Sequence, residues 1–273
     1  FTYNNVAYLI ASQAAESVSG TPWPAFCHQR IFAPLGMTRT HMSYDRLIHD
    51  KNVALPHLKR SFLEQPIPFE NWESLAAAGG INSCAKDMIR WLKYCLTSPT
   101  ALKESFQPQT LLEPDGMFDS LFIPTWQIYA HEQRIVAYGF GWVIYSLGNK
   151  TVLMHFGLSN GMQSMCAIVP EEQLGIAVLT NQEYHLGHCC LLNLLLDRFL
   201  DQPSLLWHQK AHAVVEEIGK SIKATRKQLQ EERSQTKPTL PIKGYVGLYE
   251  HPAYGPVWIR TENEHLTVEL WTH

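Results

Sequence analysis

The sequence lacks any apolar run of membrane-spanning length: its longest apolar stretches, such as "CCLLNLLLDRFL", are broken by polar residues well before the roughly 20 that a bilayer requires. No transmembrane segment is therefore expected within these residues. Long basic runs are missing too, and with 22 Lys and Arg against 25 Asp and Glu the net charge is -3. Nucleic acid is thereby excluded as the main partner, because phosphate binding needs clustered cations. The six cysteines, Cys27, Cys84, Cys95, Cys166, Cys189 and Cys190, show no CxxC spacing, which removes the usual zinc and thiol redox motifs. They read as buried, inert thiols and name no cellular compartment. What remains is an ordinary globular composition, 45% hydrophobic and 17% charged over 273 residues. That is enough for one large domain and a small appendage.

Apolar periodicity begins within five residues of Phe1 and there is no initiator methionine, so the chain reads as a piece of a longer protein. Val6, Leu9, Ile10, Ala14 and Val18 predict a first helix with an apolar face, stopped by Gly20. Thr21 and Pro22 predict the cap and first position of a second helix, ended by Pro34 to Gly36. Residues 40–75 read as irregular chain with short extended pieces. "AAAGGINSCAKDMIRWLKYCL" then passes from a small-residue turn into an amphipathic helix with Met88, Leu92 and Leu96 on one face. Between 136 and 181 the period becomes that of strands, giving an antiparallel meander that ends in the helix "YHLGHCCLLNLLLDRFL". The expected fold class is α+β, an antiparallel sheet flanked by helices. Expected domains are 1–202, a charged helical linker at 203–240, and an incomplete small β domain at 241–273.

Three stretches stand in order along the chain: "YNN" (Tyr3 to Asn5), "AAGGINS", and "HFGLSNGMQSM" followed by "IVPEEQLGIAVLTN". Together with "IFAPLGMTRTHMS" they resemble the serine hydrolases related to class C β-lactamases and penicillin-binding DD-peptidases. The resemblance covers roughly residues 1–200. It implies a β-lactamase/transpeptidase-like fold, with the end of the chain resembling part of a small C-terminal β-barrel-like domain. It also implies an acyl-serine mechanism with no metal or organic cofactor, a small ester, amide or peptide substrate, and a periplasmic or exported setting. Tyr3 and Asn5 fill the Tyr-x-Asn motif and His155 and Gly157 the third motif, while Leu158 matches the position whose backbone N–H contributes to the oxyanion hole.

A tyrosine with a pKa of about 10 is a poor base at neutral pH unless a cation stabilises its phenolate. By the resemblance Tyr3 would take the serine proton and return it to the leaving group, with the Asn5 amide bonding substrate. His155 stands where a lysine is usual and is mostly neutral at pH 7. Phe156 replaces a hydroxyl-bearing threonine and cannot bond a carboxylate, so an ester or small amide is expected over a β-lactam. A non-catalytic binding or scaffolding relative stands as the alternative, motivated by the same Phe156.

The literal Ser-x-x-Lys "SCAK", Ser83 to Lys86, follows Tyr3 where the family's nucleophile precedes it. Ser83 reads instead as an N-cap or first-turn residue, and the nucleophile is expected upstream of Phe1. His185, His188, Cys189 and Cys190 offer metal-type ligands, yet adjacent helical residues point different ways. Trp126, Tyr138 and Trp142 read as core aromatics or pocket walls.

Overall fold

A computed structural model describes residues 1–60, 63–112, 136–183, 185–203, 206–234, 236–252, 255–263 and 265–269; Trp126 lies outside them. The chain divides into two units, Phe1–Val215 and Glu216–His273.

In the first unit, helix α1 (Asn5–Ser19) starts because Asn4 is extended and its side chain accepts the Val6 N–H at 2.7 Å. It stops at Gly20, whose φ of 66° suits a residue without Cβ. Its apolar stripe does not face the core: Val6, Ile10 and Val18 are 55%, 65% and 91% exposed. The helix instead turns Ser12 inward, with Tyr8 partly buried. Helix α2 (Trp23–Cys27) continues through a wider turn at His28–Phe32, where Ala33 N–H reaches the His28 carbonyl at 2.8 Å, and Gly36 ends it at a φ of 68°. Thr21 is not its cap. Pro22 holds that position without a side-chain bond, and Pro24 in the first turn has no N–H to satisfy.

The stretch expected to be irregular contains helix α3 (Tyr44–His49), capped by the Ser43 hydroxyl, and the hairpin β1 (His57–Arg60) with β2 (Leu63–Pro66). Short α4 (Ala76–Gly79) leads to α5 (Ala85–Thr97) and α6 (Pro99–Leu102). The sheet follows: β3 (Thr110–Leu111), β4 (Val136–Tyr138), β5 (Val143–Leu147), β6 (Lys150–Ser159), β7 (Met162–Val169) and β8 (Leu174–Thr180). These pair antiparallel in sequence order. Helix α7 (Gly187–Phe199) closes the element order of this layer.

Alternation along the strands gives the sheet two apolar faces. Val143, Tyr145, Val152, Met154, Met165, Ala167 and Val169 pack with Cys189, Leu192 and Leu196 of α7. Ile144, Leu153 and Ile168 on the opposite face pack with Leu92 and Cys95 of α5. Each fully buried leucine here contributes about 1.5–3 kcal/mol relative to exposure. The expected meander and flanking helices are thus present, and the sandwiched sheet is what holds β6 rigid.

Helix α8 (Trp207–Ser234) runs across the division between the units, inside the charged stretch. In the second unit β9 (Gly247–His251), β10 (Gly255–Glu262) and β11 (His265–Glu269) form an antiparallel sheet in the order β11-β10-β9. Among the described residues this sheet is open and three-stranded and no closed barrel is formed; its two outer edges have no partner strand, and closure would need further strands.

Candidate active site

Capping by Asn4 fixes where α1 begins and so delivers Tyr3 immediately before it, partly buried against the core. Its ring centroid lies 6.0 Å from Tyr8, 6.2 Å from Tyr138 and 6.2 Å from His155. Residues from the start of a helix and the middle of a distant strand are thereby brought together. Asn5, the first residue of α1, is exposed beside them.

His155, Gly157 and Leu158 lie on a part of β6 with an open edge. Strand β5 pairs with β6 only as far as Val143 opposite Met154, whereas β7 accompanies it to Ser159. From His155 to Ser159 one edge therefore has no partner strand among the described residues. Leu158, 46% exposed, sits on that edge. Gly157 pairs with Ser164 on β7, and a Cβ there would stand 2.5 Å from the serine Oγ, so any larger residue would turn that hydroxyl aside. The far end of the edge is tied down by the Trp72 indole N–H, which donates to Ser159 Oγ at 3.0 Å. At the β6–β7 turn Gly161 adopts a φ of 74°, its N–H donating at 3.0 Å to the buried Glu183 carboxylate.

The electrostatics of the site are those of neutral groups. Burial pushes the Tyr3 phenol up to about 12, with Tyr8 acting in the same direction, so it is protonated at neutral pH. Burial also lowers the His155 pKa from its ordinary 6.5, against a smaller opposing hydrogen bond to the Phe156 carbonyl. That carbonyl lies 2.7 Å from Nδ1 and can only accept, so Nδ1 carries the proton. Nε2 is then a bare acceptor, 3.1 Å from the Tyr138 hydroxyl. His155 accordingly supplies no positive charge to Tyr3 at pH 7.

Ser83 lies in a different network. Its hydroxyl is 2.8 Å from Thr40 Oγ1, which donates at 3.0 Å to Asp87 Oδ2. With the single Thr40 proton committed to a carboxylate, Ser83 is the donor to Thr40. Asp87, only 1% exposed, also accepts the Arg39 N–H at 2.8 Å and pairs with Arg90 at 2.7 Å. Ser83 is not the cap either, since Cys84 precedes α5 and makes no side-chain capping bond. The contact ties the start of α5 to the segment between Gly36 and α3, and Lys86 is exposed on the helix surface.

Tyr8 is the residue that sequence reasoning passed over: five positions from Tyr3 is about 140° round an ideal helix, so the spacing carries no signal that the two rings meet. Tyr138 is 7% exposed at the end of β4, and Trp142 is packed in the core. His185 and His188 meet edge to face at 5.1 Å, and no group of three or more metal-type ligands occurs among the described residues.

An antiparallel sheet between helices, with a tyrosine at a helix start meeting a His-x-Gly strand edge, defines the β-lactamase/transpeptidase-like class of folds. The chain belongs to the beta-lactamase family, whose model matches residues 1–191. Among curated relatives it is 26% identical to the unguisins hydrolase ungD' of Aspergillus campestris, over 97% of this chain and 50% of that protein. It is 24% identical to the D-alanyl-D-alanine-carboxypeptidase/endopeptidase AmpH of Escherichia coli K12, over 66% of this chain and 45% of that one. The octameric penicillin-binding protein homologue from Pyrococcus abyssi shares the fold, with a TM-score of 0.64 at 19% identity, over 100% of this chain and 53% of that chain. The chain thus spans about half the length of the curated relatives it matches.

Proposed function

We propose that this chain contributes the second and third motifs of a serine hydrolase that cleaves an amide or ester through an acyl-serine intermediate. The nucleophilic serine and its lysine come from outside these 273 residues. The observation that carries this reading is the meeting of Tyr3 and His155 at 6.2 Å beside the open edge of β6. Tyr3 takes the serine proton and returns it to the leaving group, and the Asn5 amide bonds substrate. Gly157 lets the substrate approach the strand, and the Leu158 N–H donates to the developing oxyanion.

Three observations support a nucleophile elsewhere: the commitment of Ser83 to Thr40, the greater length of the relatives, and the exposed apolar stripe of α1. Phe156 packs against the core and offers no hydroxyl to a substrate carboxylate, which favours an ester or small amide over a β-lactam. The named activities of the relatives, a hydrolase of unguisins and a carboxypeptidase/endopeptidase, favour an amide. We further propose that residues 203–240 link the hydrolase domain to a small β domain beginning at 241.

A fluorophosphonate probe tests the reading. The 273-residue chain stays unlabelled, the longer protein carrying Ser-x-x-Lys is labelled, and Tyr3→Phe abolishes its turnover. Labelling of the 273-residue chain that disappears with Ser83→Ala would overturn the assignment. The second reading, a non-catalytic binding protein, is favoured by Phe156, and a longer wild-type protein that never reacts with the probe would establish it instead.

A further inference from the structure

We propose that Glu70 is a specificity-determining residue that pairs with a primary ammonium on the acyl part of the substrate, an inference that rests on the reading of the Leu158 N–H as the oxyanion donor. The geometry runs along the open edge of β6. In a β-ladder the N–H and C=O of one residue point to the same side and successive residues alternate, so a Leu158 N–H that faces the cleft brings the Leu158 carbonyl there too. That carbonyl lies on the Ser159 side. A substrate running antiparallel to β6 satisfies both Leu158 groups with a single residue: its carbonyl accepts from the N–H, and its own nitrogen donates to the carbonyl. The acyl part thereby extends toward Ser159 and the leaving group toward His155.

Glu70 waits at the Ser159 end. Ser159 Oγ accepts the Trp72 indole N–H at 3.0 Å, which leaves the serine's own proton for Glu70 Oε2 at 3.4 Å. Glu70 is exposed, and among the described residues its other oxygen has no hydrogen-bond partner and no cation pairs with it. It borders a hollow floored by Met42, Leu47 and Trp72, and no lysine or arginine lines that hollow among the described residues. Glu73, on the same hollow, is already engaged in accepting the Tyr44 N–H at 2.7 Å at the start of α3. Glu70 is therefore the carboxylate left for a ligand. A primary ammonium has three protons to place and a charge to balance, whereas an acylated nitrogen has one proton and no charge. An α-amine would bond the Leu158 carbonyl and Glu70 together; an amine at the end of a side chain would reach Glu70 alone.

Diphenyl phosphonates test the pairing in the longer protein that carries the nucleophile, because their phosphorus stands where the scissile carbonyl carbon would and bonds the serine as phenol leaves. Two probe pairs are used, each in both enantiomers: the alanine analogue with its α-amine free or acetylated, and the Nα-acetyl-lysine analogue with its side-chain amine free or acetylated. The readout is the labelling rate of the free-amine probe divided by that of its acetylated twin, measured in wild type, Glu70→Gln and Glu70→Lys. In one pair or both, Glu70→Gln lowers this ratio about fivefold and Glu70→Lys lowers it further, while the acetylated probes label within about twofold of wild type. The pair that responds identifies the α-amine or the side-chain amine as the group bound. Both probes of a pair meet the same protein, so partial unfolding of a variant cancels from the ratio. Ratios that stay unchanged in both pairs overturn the inference and leave the hydrolase reading standing. So does a protein labelled by the fluorophosphonate but by none of the diphenyl phosphonates. A longer protein labelled by neither chemistry overturns the hydrolase reading and the inference with it.

Discussion

Ser83→Ala separates a structural serine from a nucleophilic one by magnitude. The substitution removes one neutral hydrogen bond, the 2.8 Å contact to Thr40, and leaves Thr40 bonded to Asp87 at 3.0 Å. Such a bond contributes about 1 kcal/mol net, which lowers the melting temperature of a unit this size by about 2–4 °C. Asp87→Ala is a different perturbation, because the carboxylate is 1% exposed and holds the Arg39 N–H, the Thr40 hydroxyl and the Arg90 guanidinium. Removing it strands a buried N–H and hydroxyl and breaks an ion pair half-sheltered from water, a loss of about 3–5 kcal/mol that denatures the first unit at much lower urea. Denaturant titration of the two variants beside wild type reads both quantities, and probe labelling of the longer protein is measured on the same samples. Ser83→Ala should lose about a quarter of what Asp87→Ala loses and should label fully. Unchanged stability in Ser83→Ala together with lost labelling would refute the argument, since it would make Ser83 a reacting group and not a clamp.

Gly157→Ala is expected to cost no more than about 1 kcal/mol, because the new methyl would stand 2.5 Å from Ser164 Oγ, the end of a side chain that can turn to another rotamer. Ser164→Ala should restore most of that loss, its Cβ being 3.9 Å away, and a double-mutant cycle showing simple additivity would contradict the pairing. The acid limb of stability reports His188, which is 5% exposed and whose pKa burial, with a smaller contribution from His185, lowers from 6.5 to about 4. The unfolded chain then binds more protons between those values, so this contribution is intact above about pH 6.5 and is lost as pH falls toward 4, amounting to roughly 3 kcal/mol. Urea midpoints measured from pH 7 to 4 should fall less steeply for His188→Leu than for wild type; parallel curves would exclude His188 as the source.

Much of the fold was legible because it depends on local rules. Asn4 and Gly20 bound α1 by capping and by a left-handed backbone, and strand alternation from 136 to 181 sets a two-faced sheet whatever surrounds it. Facing was less legible. The stripe Val6, Ile10 and Val18 has the right period, but which side of a helix is covered depends on its neighbours, and α1 turns Ser12 inward. Likewise "SCAK" satisfies a motif, and only Thr40, brought up from another segment, reveals what its hydroxyl does.

The same division holds at the site. The order of Tyr3, Asn5, His155, Gly157 and Leu158 along the chain determined the family resemblance, because motif identity resides in residue type and spacing. The protonation of those residues was decided by tertiary structure alone: burial raises the Tyr3 phenol and lowers the His155 imidazole, and the Phe156 carbonyl selects the tautomer. A sequence carries reference pKa values and hydrogen-bonding capacity. Desolvation and donor geometry exist only once Tyr8, Tyr138 and the end of β6 are folded around the same few ångströms.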